Sequence, residues 1–305
     1  MNQIKHLGVI MDGNRRWAKA QGLISYQGHN RGAEVFGDTC DWCLESNIEY
    51  LTVYAFSTEN WKRSIEEITH IFKLLAKYFI EEKDTCLNKG IRITIIGERS
   101  HFDKKTMSII EEIEAYTKNC SKLKVQIALS YGGRDEIVRA VNKLLVDIKD
   151  GNGSGSCSGN GSGGSNCSNN GSGSLAPLAK GGMASATSPP LLKGGWRQQD
   201  LRRQGGFTVG GQEGLLRGND NGGIINIAQI TEEIFASYLD TAGIPDVDLV
   251  IRTGGAENRR LSNFLPWQTV YSELYFSDLL WPDFSRDEFE NAIEYYNSVK
   301  RKLGK

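Results

Sequence analysis

The stretch His6-Leu7-Gly8-Val9-Ile10-Met11-Asp12-Gly13-Asn14-Arg15-Arg16-Trp17-Ala18 opens the ordered part of the chain. An apolar, strand-like run from Leu7 to Met11 ends abruptly in Asp-Gly-Asn, and two arginines and a helix-compatible run, Trp17 to Gln21, follow at once. Glycine lets backbone N–H groups approach an anion, a helix N-terminus favours negative charge, and arginine forks two phosphate oxygens. Gly13, Asn14, Arg15 and Arg16 therefore read as a phosphate site, with Asp12 as its own metal carboxylate. The plainer reading is a strand, a turn capped by Asp12, and a helix with exposed arginines.

Working outward, residues 1–150 alternate strand and helix patterns. Leu7–Met11, Tyr50–Phe56, Arg92–Ile96 and Val125–Leu129 are apolar, β-branched or aromatic runs, the mark of buried strands. Ala33–Glu45, Ser64–Asn88, Lys104–Asn119 and Asp135–Asp147 carry apolar residues at helical spacing. Later in the chain Thr231–Leu239 reads as a helix capped by Thr231, Val247–Ile251 and Tyr271–Phe276 as strands, and Arg286–Arg301 as a closing helix. Such alternation predicts an α/β fold with a central, mostly parallel β-sheet flanked by helices, with ligands at the carboxyl ends of the strands. Asp12–Arg16, Ser57–Trp61 and Tyr131–Arg134 should then gather on one rim.

Between these parts the composition breaks. Residues 151–174 are almost entirely Gly, Ser and Asn, and 175–223 add Pro, Gln and Arg without periodicity. Such a segment buries too little apolar surface to offset the entropy of ordering it, which predicts a long disordered insertion at 151–223 inside a single domain spanning 1–305. Within it, Pro190-Leu191-Leu192-Lys193-Gly194-Gly195 is echoed by Gly214-Leu215-Leu216-Arg217-Gly218, a hint of duplicated origin.

The remaining composition narrows the class. A net charge of −1 gives no reason to expect a nucleic-acid partner. No secretory signal is evident, and no apolar run approaches the roughly 18–20 residues of a membrane span, so the cytoplasm is the default expectation. Six cysteines are scattered without zinc-site pairing. Cys40-Asp41-Trp42-Cys43 is formally a Cys-x-x-Cys, but it lies inside a helical pattern, which suits buried thiols better than redox chemistry.

Further chemistry-bearing residues cluster at strand ends. Ser57-Thr58-Glu59-Asn60-Trp61 with Arg63 makes a binding loop, or else a turn with Trp61 as a core plug and Glu59 as a solvated charge. Tyr131-Gly132-Gly133-Arg134 permits close backbone approach, with Arg134 reaching an anion or buttressing another loop. The densest group is Arg252-Thr253-Gly254-Gly255, then Arg260 and Ser262, then Glu273. Arginine, hydroxyl and glycine packed this closely suit a diphosphate, and Glu273 could complete a Mg²⁺ site with Asp12, since Mg²⁺ needs only one or two carboxylates besides phosphate oxygens. His29 either contacts phosphate, passes a proton, or is a helix-start histidine. Two separate cationic, glycine-bearing rims imply two phosphorylated groups, and neither a P-loop nor a Gly-x-Gly-x-x-Gly after the first strand is present.

Met11-Asp12-Gly13-Asn14-Arg15-Arg16-Trp17-Ala18, Gly28-His29, Tyr54-Ala55-Phe56-Ser57-Thr58-Glu59-Asn60-Trp61, Tyr131-Gly132-Gly133-Arg134, Asp248-Leu249-Val250-Ile251-Arg252-Thr253-Gly254-Gly255, Arg260-Leu261-Ser262-Asn263-Phe264 and Tyr271-Ser272-Glu273-Leu274-Tyr275-Phe276 resemble, in order, the motifs of the cis-prenyltransferases, the undecaprenyl diphosphate synthase-like enzymes. The resemblance implies a homodimeric α/β enzyme that condenses isopentenyl diphosphate onto an allylic prenyl diphosphate with Mg²⁺, forming a new cis double bond. It implies a membrane contact only through the lipid product. By position, Asp12 resembles the Mg²⁺ ligand, with Gly13, Asn14, Arg15, Arg16 and His29 around the allylic diphosphate. Ser57, Glu59, Asn60, Trp61, Arg63 and Glu67 resemble the catalytic loop and helix start, with Trp17 beside them. Arg252, Arg260 and Ser262 resemble the isopentenyl diphosphate clamp, and Glu273 its metal-side carboxylate. The sequence departs from the family at Ser25, where an arginine is usual, and at Ser130, where asparagine is common. The Arg252–Arg260 segment is about two residues longer, leaving the match open among Glu257, Arg259 and Arg260. Two alternatives accompany this reading: a relative diverted to irregular coupling or terpene cyclisation, and a non-catalytic subunit supporting a partner synthase.

Overall fold

The computed structural model describes residues 3–149, 215–216, 225–226 and 230–300. Two units are distinguished, Met1–Asp150 with Ile230–Lys305, and Gly151–Gln229. In chain order the first unit holds β1 (His6–Ile10), α1 (Asn14–Ala20), α2 (Ser25–Glu45), β2 (Tyr50–Ser57), α3 (Ile65–Lys89), β3 (Ile91–Ile96), α4 (Lys104–Thr117), β4 (Leu123–Tyr131) and α5 (Gly133–Lys149). In the second unit β5 (Leu215–Leu216) and β6 (Ile225–Asn226) form a two-residue antiparallel pair. The first unit resumes with α6 (Glu232–Ala236), β7 (Leu249–Arg252), β8 (Glu273–Phe276) and α7 (Arg286–Ser298). The predicted disorder of the insertion, Cys157, Cys167 and the Pro190–Gly195 half of the echo lie outside the described residues; β5 falls in its other half.

Six strands form one sheet in the order β3-β4-β2-β1-β7-β8, and every neighbouring pair is parallel. β1 is buried at every residue, as a central strand covered on both faces must be. Alternate side chains serve opposite faces: Leu7 and Val9 join the larger core with Val35, Phe79 and Phe289, while Ile10 joins Val250 and Phe264 on the other face. β2 and β7 flank β1 on either side, so the chain's direction of winding reverses at β1, and the crevice outside the carboxyl ends of β1, β2 and β7 is where such sheets hold ligands. Polar side chains inside the sheet are paired: His6 Nε2 lies 2.8 Å from Thr52 Oγ1, which bonds Gln126, and His6 Nδ1 lies 2.7 Å from the Pro245 carbonyl.

Helix ends follow local chemistry. Ser64 accepts from the Glu67 N–H at the start of α3, and Gly90 ends it in the left-handed conformation. Asp103 caps α4 and Thr231 caps α6 in the same manner. α6 stops at Ala236, three residues before the predicted end. α2 begins at Ser25 rather than Ala33. The glycines that disguise its first turns in the sequence have a packing use. A Cβ on Gly28 would stand 2.1 Å from the Asn14 carbonyl oxygen, and one on Gly32 2.3 Å from Asn14 Oδ1. Close seating of α1 on α2 thus outweighs their poor helix propensity. Cys40 and Cys43 are buried free thiols on α2, and burial pushes both pKa values up, away from thiolate chemistry.

Candidate active site

The polar turns after β1, β2 and β7 do share one rim. Asp12 leaves β1 with its main chain held by Thr253: the Asp12 N–H donates to Thr253 Oγ1 (3.1 Å) and that hydroxyl donates to the Asp12 carbonyl (2.9 Å). The Trp281 N–H donates to the same carbonyl at 3.0 Å. So fixed, the carboxylate accepts from Arg16 at Oδ1 and from Arg252 at Oδ2, both at 3.0 Å. Arg16 also donates to the Gly254 carbonyl. Gly254 adopts φ 117°, and a Cβ there would lie 2.9 Å from Asp12 Oδ2, so only glycine closes the turn against the carboxylate.

Arg252 ends β7 with its side chain only 5% exposed. Nη1 donates to Ser262 Oγ (2.7 Å) and to the Arg260 carbonyl, and Nη2 donates to Asp12. Burial pulls its pKa down and the Asp12 carboxylate opposes that shift. Ser262 and Asn263 both have positive φ, 50° and 68°. Asn263 is gripped by the predicted third motif, taking the Gly133 N–H on its carbonyl (2.8 Å) and the Arg134 N–H on Oδ1 (2.9 Å). Tyr131–Arg134 therefore acts as a buttress, through backbone groups.

These turns open a cavity of about 1290 Å³. Its mouth is lined by Asp12, Gly13, Asn14, Arg15, Arg16, Lys19, His29, Ser57, Glu59, Asn60, Arg63, Arg252 and Ser262, and its depth by Val53, Ile71, Leu74, Leu75, Phe79 and Ile127. Five cations against two carboxylates at the mouth favour an anionic ligand; the apolar depth favours hydrocarbon. Asn14 Oδ1, His29 Nε2 and Arg252 Nε are buried without a hydrogen-bond partner. Buried polar atoms rarely stay unpaired, so unmet polar atoms on this wall mark it as built for a ligand.

Asn60 Oδ1 accepts from the Ser57 N–H (3.1 Å) and so shapes the loop after β2. Glu67 gathers the neighbouring cations: Arg63 at 3.1 Å and Arg15 at 3.6 Å. His29 Nε2 stands 3.9 Å from Glu67, close enough to pair only if protonated. Burial, then Arg63, His70 and Arg15, pull its pKa down to about 4, so the ring is neutral at neutral pH and the contact is no ion pair. Ser25 lines the same mouth.

Several predicted residues stand elsewhere. Trp17 turns its indole from the cavity to donate to Asp283 (2.7 Å). Trp61 is the core plug of its two readings, packed against the main core. Arg259 pairs loosely with Asp278 (3.7 Å), and of Glu257, Arg259 and Arg260 none lines the cavity. Glu273 pairs in register with Leu249, three residues before Arg252, which is about 10 Å back along the strand from the rim. Among the described residues no group of three or more His, Cys, Asp or Glu could hold a metal unaided. Trp281 escapes the sequence reading, and Thr253 and Asn263 stand within its motifs without a role of their own. Their signal was faint: each matters through a main-chain partner distant in sequence.

A family profile described as "Putative undecaprenyl diphosphate synthase" matches residues 10–169 and 207–304. The chain is 33% identical over 301 residues to an isoprenyl transferase of Aquifex aeolicus, covering 99% of this chain and 96% of the relative, and 35% identical over 301 residues to that of Aquifex pyrophilus with the same coverage. Among solved structures it resembles a probable undecaprenyl diphosphate synthase from Campylobacter jejuni (TM-score 0.63, 29% identity, all of both chains). It shares its fold with lavandulyl diphosphate synthase from Lavandula x intermedia (TM-score 0.72, 22% identity, 99% of both chains). With the profile spanning most of the sequence and the relatives matched end to end, the chain belongs to the undecaprenyl diphosphate synthase family and is a prenyltransferase.

Proposed function

We propose that the protein extends an allylic prenyl diphosphate with isopentenyl diphosphate, releasing diphosphate and forming a cis-polyprenyl diphosphate. The observation that carries this reading is the continuity of the cavity: a cationic mouth around Asp12 passes directly into an apolar depth lined by β2, α3 and β4. The allylic diphosphate sits against Gly13, Asn14, Arg15 and Arg16, with its hydrocarbon inward. Isopentenyl diphosphate sits against Arg252 and Ser262, beside the exposed Arg260, which places the alkene within reach of the allylic carbon.

Mg²⁺ fits the residues present, because one carboxylate, Asp12, faces a pocket suited to phosphate oxygens, and this ion needs few protein ligands. When bound it would neutralise charge gathering on the leaving diphosphate. Asp12 would hold it, in exchange for one of its arginines. Arg16 and Arg15 stabilise the departing oxygens, and His29, neutral and unpaired at Nε2, hydrogen-bonds the same group. Asn60 and Ser57 keep the loop closed over the reacting carbons. The growing chain occupies the apolar wall, where each buried CH₂ contributes about 0.8 kcal/mol.

A homodimer is supported by an exposed apolar stripe on α5, Val138, Val141, Leu145 and Val146, at helical spacing. No helix among the described residues is long and apolar enough to cross a membrane, so contact with one would come through the product; the cytoplasm is the proposed site of action. The insertion is proposed to be a passive interruption of one catalytic domain. Purified protein given Mg²⁺, geranyl or farnesyl diphosphate and labelled isopentenyl diphosphate should produce longer diphosphates. Absence of chain extension without a partner subunit would sink this reading.

A further inference from the structure

We propose that His101 is a positioning residue for the loop that carries Ser57, Glu59 and Asn60 into the cavity, acting through Ser130 and the Trp61 indole. This rests on the prenyl-transfer reading of the cavity. Trp61 belongs to a 3-10 turn, Thr58–Lys62, with Asn60 as its immediate neighbour. Its ring stacks on Phe72 (centroids 5.7 Å, 21°) and meets Phe56 edge-on (5.1 Å, 76°). Its N–H donates to Ser130 Oγ at 2.9 Å. A half-buried indole N–H needs such an acceptor, so Ser130 decides where the turn sits.

Ser130 is itself unusual. It is fully buried with φ 50°, and it is the extra residue of a bulge in β4, where Phe56 pairs with Leu129 but Ser57 pairs with Tyr131. Bulges re-aim a side chain beside a functional site. Here the Ser130 hydroxyl is aimed at two groups at once, Trp61 and His101 Nδ1, the latter at 2.8 Å.

His101 ends the short turn Arg99–His101 after β3, and that turn grips Ser130 twice. The Glu98 N–H donates to the Ser130 carbonyl (3.1 Å), and the imidazole meets its hydroxyl. Gly97 allows the approach, since a Cβ there would stand 2.1 Å from the Leu129 carbonyl oxygen. His101 also packs edge-on to Trp61 (5.4 Å, 69°), while the adjacent Phe102 supports Phe72 (5.5 Å). The imidazole is absent from the cavity wall. Its influence on the reaction therefore passes through the pose of Trp61 and, one residue away, of Asn60.

His101→Phe keeps the ring packing and removes the nitrogen; His101→Asn keeps a polar partner near the position of Nδ1. The first should lower kcat about fivefold, the scale of one lost hydrogen bond, with KM for the allylic diphosphate changed by less than about twofold. His101→Asn should restore most of that loss. The Trp61 indole N–H resonance, assigned by its disappearance in Trp61→Phe, should move in His101→Phe and return in His101→Asn. Wild-type kcat in His101→Phe, an unmoved indole resonance, or equal damage from His101→Asn overturns the proposal. Should His101→Phe fail to fold, Ser130→Ala breaks the same link and carries the same kinetic and spectroscopic expectations. An inactive wild-type protein would count against the prenyl-transfer reading instead, while the indole resonance would still report on the link.

Discussion

Asp12 and Arg252, 240 residues apart in the chain, meet at 3.0 Å between Oδ2 and Nη2 across the seam of β1 and β7. The arginine side chain is 5% exposed and the carboxylate 32%. A charge buried as deeply as Arg252 is tolerable only with partners, and it has three: Asp12, Ser262 Oγ and the Arg260 carbonyl. The pair therefore links the stability of the rim to its chemistry.

Asp12→Ala should lower turnover by at least about a hundredfold, the scale seen when a group stabilising developing charge is removed. The fold should survive with a loss of about 1–3 kcal/mol, because Arg252 keeps two acceptors. Label incorporation and urea melting measure the two effects separately. Near-normal activity would reject the metal role.

Arg252→Lys keeps the charge but not the fork that spans Ser262 on one nitrogen and Asp12 on the other. A KM for isopentenyl diphosphate raised about tenfold is expected, equivalent to roughly 1.4 kcal/mol, with a smaller change for the allylic substrate. Equal changes for both substrates would show that the arginine is not a dedicated clamp.

Burial depresses both His29 and His6 from 6.5 to about 4 in the folded protein. Between those values the unfolded chain binds the protons that the folded one refuses, so stability rises with pH through this window and falls on acidification from about 6.5 towards 4. Each ring contributes on the order of 3 kcal/mol at the bottom of the window. Histidine NMR titration should find both values well below 6, and diphosphate should raise that of His29 while leaving His6 in place. A normal pKa for free His29 would contradict its depression by burial.

Removing residues 152–221 should leave activity within about threefold, since closing a loop of different length costs little. A larger loss would assign the insertion a role in the reaction, and labelled-substrate turnover decides it.

The sheet and the rim were legible because strand runs end abruptly in charged, glycine-bearing turns, and Asp12, Arg16, Ser57 and Arg252 lie at those ends. What escaped was settled by geometry across the chain. Trp61 and Trp17 sit in motifs that touch the site, yet Trp61 packs against the main core and the Trp17 indole finds its partner in Asp283, 266 residues away. Gly28 and Gly32 blurred the start of α2 because their reason, the passage of Asn14, comes from another helix. Thr253 and Trp281 act on Asp12 through main-chain bonds that no local pattern announces.

The placement of β7 against β1 also sets a timetable. At about 5–20 residues per second, a ribosome needs roughly 10–50 seconds to make the chain between Asp12 and Arg252. Throughout that interval β1, apolar along its length, has β2 on one flank and a bare edge on the other. Such an edge is open to pairing with other chains. The anion site cannot form until the last fifth of the protein emerges, so a nascent chain gains nothing from substrate until synthesis is nearly done.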